Sequence, residues 1–131
     1  MVNRVILIGR LTKEPEVRML PSGSQVASFS IAVNRKYKDK NGEWKEETYF
    51  FDIECYGKLA ERVGSQLGKG YQISIEGSLR QEKWTSQSGE KRSKIKIAAN
   101  KITLLGKPKS ADTKNAKAEV IEETVEEEIA F

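Results

Sequence analysis

The chain has 131 residues, enough for one domain with a real core and a tail but not for two ordinary domains. Its formal charge of +4 conceals an uneven distribution: residues 1–106 carry 19 Lys and Arg against 12 Asp and Glu, whereas residues 107–131 carry 4 against 7. A single cysteine and no histidine exclude an intrachain disulfide and a multi-cysteine zinc site, which fits a reducing cytoplasm.

The longest apolar run, Val5 to Ile8, is too short for a membrane span or the core of a signal peptide, so a cytoplasmic protein with no membrane partner is expected. The basic body favours a polyanionic partner, although a protein can also be basic without one.

From Val2 to Leu11 the apolar residues run consecutively instead of alternating. A strand here would turn Val5, Leu7 and Leu11 to a core and leave Ile6 and Ile8 in need of cover on the other side. A second copy of the chain is the simplest cover, an overlying element of the same chain the alternative. Pro15 and Pro21-Ser22-Gly23 punctuate a connection in which Glu16 to Leu20 reads as a short edge strand.

Gln25 to Arg35 alternates, with Ala27, Phe29, Ile31 and Val33 on an apolar face and Val26, Ser28, Ser30, Ala32 and Asn34 on the other. It leads into a long hairpin for which Asn41-Gly42 is the expected tight-turn pair. Along this hairpin Tyr37 and Trp44 interleave with Arg35, Lys36, Lys38 and Lys45. Rings can stack on bases while the cations take phosphates; a solvated hairpin whose rings pair across its strands is the other reading.

Thr48 to Lys58 predicts a strand with Phe51, Ile53 and Cys55 inward and Phe50, Asp52, Glu54 and Tyr56 outward. Large rings on a solvated face call for a ligand of flat rings, and nucleobases are one. Phe51 can pack in the core or, at the strand's end, against a neighbouring subunit; Asp52 has no evident role. A short helix follows at Lys58 to Leu67, with Leu59, Val63 and Leu67 on one face and Gly68 and Gly70 as stops.

Tyr71 to Arg80 predicts a strand with a bend or bulge at Gly77, continuing through Lys83 and Trp84 to a turn at Ser88-Gly89. Lys91 to Leu105 returns as a last strand bearing Lys91, Arg92, Lys94, Lys96 and Lys101. The elements make an all-β fold: a five-stranded OB-fold Greek-key barrel with one short helix between the third and fourth strands, and two long hairpins flanking its binding face.

Residues 1–106 form this domain, and 107–118 read as a flexible linker without a large apolar residue. Residues 119–131 form an acidic tail, predicted to be disordered. Ile121, Val125 and Ile129 are spaced for a docked helix, but Glu122 with Glu126 and Glu123 with Glu127 set like charges four apart, which opposes an isolated helix. The tip, Glu126, Glu127, Glu128, Ile129, Ala130 and Phe131, combines long-range attraction to a basic pocket with a ring beside a terminal carboxylate, a partner-binding segment.

Several ordered blocks resemble the bacterial single-stranded DNA-binding protein family: Val2-Asn3-Arg4-Val5-Ile6-Leu7-Ile8-Gly9, Pro15-Glu16-Val17-Arg18, Tyr56-Gly57-Lys58-Leu59-Ala60-Glu61, Ile75-Glu76-Gly77-Ser78-Leu79-Arg80 and Lys83-Trp84-Thr85. The resemblance covers about residues 1–106 and resumes at the tip. It implies an OB-fold, a homotetramer, no enzymatic activity, wrapping of exposed single-stranded DNA, and recruitment of replication, recombination and repair proteins through the tip.

Carried over by position, the stacking rings are Tyr37, Phe50, Tyr56 and Trp84, with Trp44 an additional ring. The phosphate contacts are Arg4, Arg10, Lys58, Lys69, Arg80, Lys83 and Arg92, joined by Arg35 and Lys36 of the hairpin. No cofactor or metal is expected. A single-stranded RNA-binding OB module is the alternative within binding proteins, and a nuclease the alternative from another class, although the body lacks histidine and a compact acidic cluster for metal-assisted hydrolysis.

Overall fold

A computed structural model describes residues 1–108. The expected linker from residue 109 onward and the acidic tail lie outside the described residues. Those described form six strands and one helix: β1 (Val5–Leu11), β2 (Glu16–Met19), β3 (Gln25–Lys38), β4 (Trp44–Tyr56), α1 (Lys58–Gln66), β5 (Gln72–Thr85) and β6 (Lys91–Gly106).

The strands run in the order β1-β5-β6-β4-β3-β2, and a further β1–β3 pairing closes five of them into a barrel. Closure gives the barrel strands neighbours on both sides, which removes open sheet edges. The expected edge strand β2 pairs only with β3, outside this ring. Two contacts are narrow: β1 meets β3 at Arg10 and Leu11, and β4 meets β6 in parallel at Ile53 and Glu54.

Glycine makes two of the close approaches possible. A Cβ on Gly9 would lie 2.7 Å from the Ala32 carbonyl oxygen, where β1 crosses β3, and one on Gly77 would lie 2.1 Å from the Ala98 carbonyl oxygen. The pairing register of β5 and β6 shifts between Glu76 and Gly77, the bulge expected there.

The core is aliphatic: Ile31, Ile53, Ile73, Ile75, Ile97 and Ile102 are fully buried around Phe29, Cys55 and Leu104. Burial pushes the Cys55 thiol up to about 12, so it stays protonated as a small hydrophobe. Helix α1 adds Ala60, Val63 and Leu67 to this core, with Leu59 at its margin. Phe51 packs at the core's rim, partly buried. Val26 falls by alternation on the polar side but is buried, because it sits between Arg18 on β2 and Tyr56 on β4.

The hairpin turns depart from the two-residue pattern expected at Asn41-Gly42. Gly42 N–H donates to the Asp39 carbonyl at 3.1 Å and Asp39 N–H to the Glu43 carbonyl at 2.9 Å, so the turn spans Asp39 to Glu43 with Gly42 last, at φ 79°. Asp39 Oδ1 accepts the amides of Asn41 and Glu43, both at 2.9 Å, and this side-chain bridge selects the longer turn. Ser86 does the same at the second hairpin, where its backbone bonds Gly89 and Glu90 and its hydroxyl accepts the Glu90 amide.

Candidate nucleic-acid interface

Strand alternation decides which candidates meet. On β4 the even residues Trp44, Phe50, Asp52, Glu54 and Tyr56 share the outward face, opposite Lys38, Ala32, Ser30, Ser28 and Val26 of β3. Glu54 pairs in register with Ala98 of β6, and Ser78, Arg80, Glu82 and Trp84 of β5 pair with Ala98, Lys96, Lys94 and Arg92. One continuous outer face therefore carries Phe50, Tyr56 and Trp84, with Arg80, Arg92, Lys94 and Lys96 among them. Phe50 is 67% exposed, Trp84 46% and Tyr56 40%, so each ring keeps surface for a ligand.

Tyr56 is held from two sides. Its hydroxyl donates to Glu54 and accepts from Arg80 Nη1 at 3.0 Å, while the Arg80 guanidinium lies 5.5 Å from the ring centroid. The hydrogen bond to Glu54 raises the Tyr56 hydroxyl pKa above its ordinary value. Burial favours the neutral form of Glu54, but the hydrogen bonds from Tyr56 and Lys96 outweigh it, and the carboxyl stays below its usual range.

Asp52, without a role in the sequence, lies 2.7 Å from Lys94 Nζ. Lys96 Nζ bridges Glu54 at 3.2 Å and Glu82 at 3.0 Å. Hydrogen bonding to Glu82, and then to Glu54, holds Lys96 above its ordinary pKa against the cost of burial. Lys94 and Lys96 were outside the predicted contacts; the signal for them is their shared alternation phase with Arg92, but the β4–β6 pairing that sets them beside Asp52 and Glu54 is long-range.

Three predicted residues, Tyr37, Arg35 and Lys83, fall elsewhere. Tyr37 pairs with Lys45 and so shares the other face of the hairpin with Arg35, Glu47 and Tyr49. There the Arg35 guanidinium stands 5.2 Å from the Tyr37 ring, Tyr49 donates to Glu47, and hydrogen bonding to Glu47 raises the Tyr37 pKa. Lys83 alternates with Trp84 and points to the opposite side of β5, beside Ser93. A groove at the tip of the β5–β6 hairpin is nevertheless lined by Gln81, Lys83, Trp84, Lys91 and Arg92, so Lys83 and Trp84 border one site there.

The remaining candidates are spread over the surface. Trp44 is exposed near the first hairpin tip, with Lys38 Nζ 5.6 Å from its ring and Lys36 lining the same groove. Arg92 is paired with Glu90 at 2.9 Å. Arg4 pairs with Glu76 at 2.8 Å and Arg10 donates to the Gly70 carbonyl at 2.9 Å, flanking exposed Ile6 and Ile8 on the outward phase of β1. Lys58 opens α1, and Lys69 follows it with its amide on Glu14.

The model of the single-strand binding protein family matches residues 2–105. The chain belongs to that family. It is 45% identical to the single-stranded DNA-binding protein of Aquifex aeolicus over 129 residues, 98% of this chain and 86% of that one. It is 46% identical to that of Wolinella succinogenes over 105 residues, 80% of this chain and 65% of the relative.

Among solved structures, an SSB of Plasmodium falciparum in complex with ssDNA superposes with a TM-score of 0.75 at 29% identity, covering 80% of this chain and 96% of that one. A single-stranded DNA binding protein from Thermus aquaticus gives 0.74 at 31%, covering 82% and 52%. The family is one of DNA-binding proteins, not of catalysts. Among the described residues no cluster of three or more His, Cys, Asp or Glu side chains is placed to hold a metal ion, and no helix is long and apolar enough to cross a membrane.

Proposed function

We propose that this protein binds single-stranded DNA without regard to sequence, coating exposed strands in replication, recombination and repair. The observation that carries the proposal is the outer face on which Phe50, Tyr56 and Trp84 stand exposed among Arg80, Arg92, Lys94 and Lys96. Each stacked base contributes about 1–3 kcal/mol, and paired bases in a duplex hide the surfaces that stacking needs. Phosphate contacts from the cations make affinity fall with salt.

The domain spans residues 1–106, followed by a linker at 107–118 and a tail at 119–131 whose tip, Glu126 to Phe131, recruits partner proteins in the cytoplasm. Self-association is supported by exposed Ile6 and Ile8 on β1, which have the character of a buried contact; assembly as a homotetramer is what the family resemblance implies.

Titration of the full chain with oligo-dT, followed by intrinsic tryptophan fluorescence at two salt concentrations, tests the function. Quenching that saturates, weakens with salt and resists competition by duplex DNA is expected. Failure to bind oligo-dT, or tighter binding to matched oligo-U, overturns it.

A further inference from the structure

Strand β6 lies between β5, which carries Trp84, and β4, which carries Phe50 and Tyr56. Its outward lysines, Lys94 and Lys96, therefore occupy the middle of the ringed face, where a strand stacked on those rings has to lay its backbone. Both are already engaged: Lys94 with Asp52 at 2.7 Å, and Lys96 with Glu54 at 3.2 Å and Glu82 at 3.0 Å. Carboxylates and phosphates present the same chemistry to an ammonium group, acceptor oxygens bearing negative charge.

We infer that Asp52, Glu54 and Glu82 are built-in counter-ions of the DNA-binding face, holding Lys94 and Lys96 until DNA phosphates take their place. This rests on the single-stranded DNA-binding function proposed above. Binding here is an exchange: a lysine that moves from carboxylate to phosphate leaves a carboxylate to be compensated, so the net gain in charge pairing is small. A polyanion without accessible bases gains little from that exchange. Single-stranded DNA gains stacking on Phe50, Tyr56 and Trp84 in addition, so the carboxylates set a preference for exposed bases over mere negative charge.

The Asp52–Lys94 pair is the one to perturb, because both side chains are about half exposed and such pairs contribute little to folding. Glu54 is buried and also holds Tyr56. The affinity of the full chain for oligo-dT is measured across a salt series for the wild type, Asp52→Asn, Lys94→Gln and the double variant, with duplex DNA as a second ligand. Freeing one lysine for phosphate steepens the dependence of log K on log salt by about 0.7 for a single strand.

Asp52→Asn is thus expected to bind oligo-dT several-fold more tightly at low salt with a steeper slope, and to gain more on duplex DNA than on oligo-dT. Lys94→Gln is expected to bind several-fold more weakly, with a shallower slope, and the double variant to return near the wild type. An Asp52→Asn protein with unchanged or weaker affinity and an unchanged slope overturns the inference while leaving DNA binding intact. A wild type that does not bind oligo-dT overturns the function itself. Should Asp52→Asn fail to fold, Lys94→Gln decides: weaker binding with a shallower slope supports the exchange, and wild-type affinity refutes it.

Discussion

The alternation of the first hairpin separates two rings that the sequence resemblance groups together, and Phe50→Ala compared with Tyr37→Ala tests the separation. Phe50 is 67% exposed and faces Ala32 across the strand pair, so truncating it leaves no cavity and removes little packing. Its effect on stability is expected within about 0.5 kcal/mol. The ring is free to stack, and losing one stacked base at the lower part of the usual range costs about 1–2 kcal/mol of binding. That is a loss of roughly 5- to 30-fold in affinity at tenfold per 1.4 kcal/mol.

No charge changes, so the salt slope stays as in the wild type. Tyr37 is half-buried against Arg35 on the opposite face, and its removal lowers the melting temperature while weakening a short oligo-dT, able to cross one face only, less than threefold by the same arithmetic. Fluorescence titration and thermal unfolding read the two effects separately. Equal losses of short-oligo affinity from both variants, or none from Phe50→Ala, refute the face assignment.

Gly77→Ala places a Cβ 2.1 Å from the Ala98 carbonyl oxygen, a backbone atom that cannot step aside, and is expected to destabilise by about 1–3 kcal/mol or more, read as a lower melting temperature. The Glu54 carboxyl is held below its ordinary value of 4.5, so its contribution is complete above that pH and is lost as pH falls through the lowered value; Glu54→Gln should flatten the acid side of the stability profile and cost about 1–2 kcal/mol at neutral pH, and parallel profiles contradict this. Ile8→Glu puts a charge on the outward apolar phase of β1 and is expected to lower the mass of the species seen by light scattering, with unchanged circular dichroism; an unchanged mass rules out self-association through that face.

How much was legible in the sequence follows from the range of each interaction. Alternation is local, so the inward Ile53 and Cys55 and the outward Phe50 and Tyr56 could be read from residue order, as could the bulge at Gly77. The turn falls at Asn41-Gly42 as residue order indicates, but it is longer than that pair alone implies, because Asp39, two residues earlier, commits its side chain to the amides of Asn41 and Glu43. Residue order does not reveal the burial of Val26, whose cover comes from β2 and the end of β4, nor the role of Asp52, whose partner Lys94 is 42 positions away. The resemblance sets Tyr37 with Phe50 and Lys83 with Trp84 without regard to face, whereas alternation turns the members of each pair to opposite faces.

The facing of these residues constrains the path of a bound strand. Trp44 and Phe50 share one face of the β3–β4 hairpin and Tyr37 the other, while Trp84 and Lys83 divide the β5–β6 hairpin in the same manner. A strand confined to the outer barrel face can meet Phe50, Tyr56 and Trp84 in turn, but it reaches Tyr37 only by passing around the edge of a hairpin. Asp39 and Ser86 tie both turns through their side chains, which stiffens the two arms about which such a path would bend. Engagement of Tyr37 therefore requires a longer oligonucleotide than engagement of Phe50. Titrating Tyr37→Ala with oligo-dT of increasing length should show its deficit grow with length, and a deficit constant from the shortest oligonucleotide upward rules out the wrapped path.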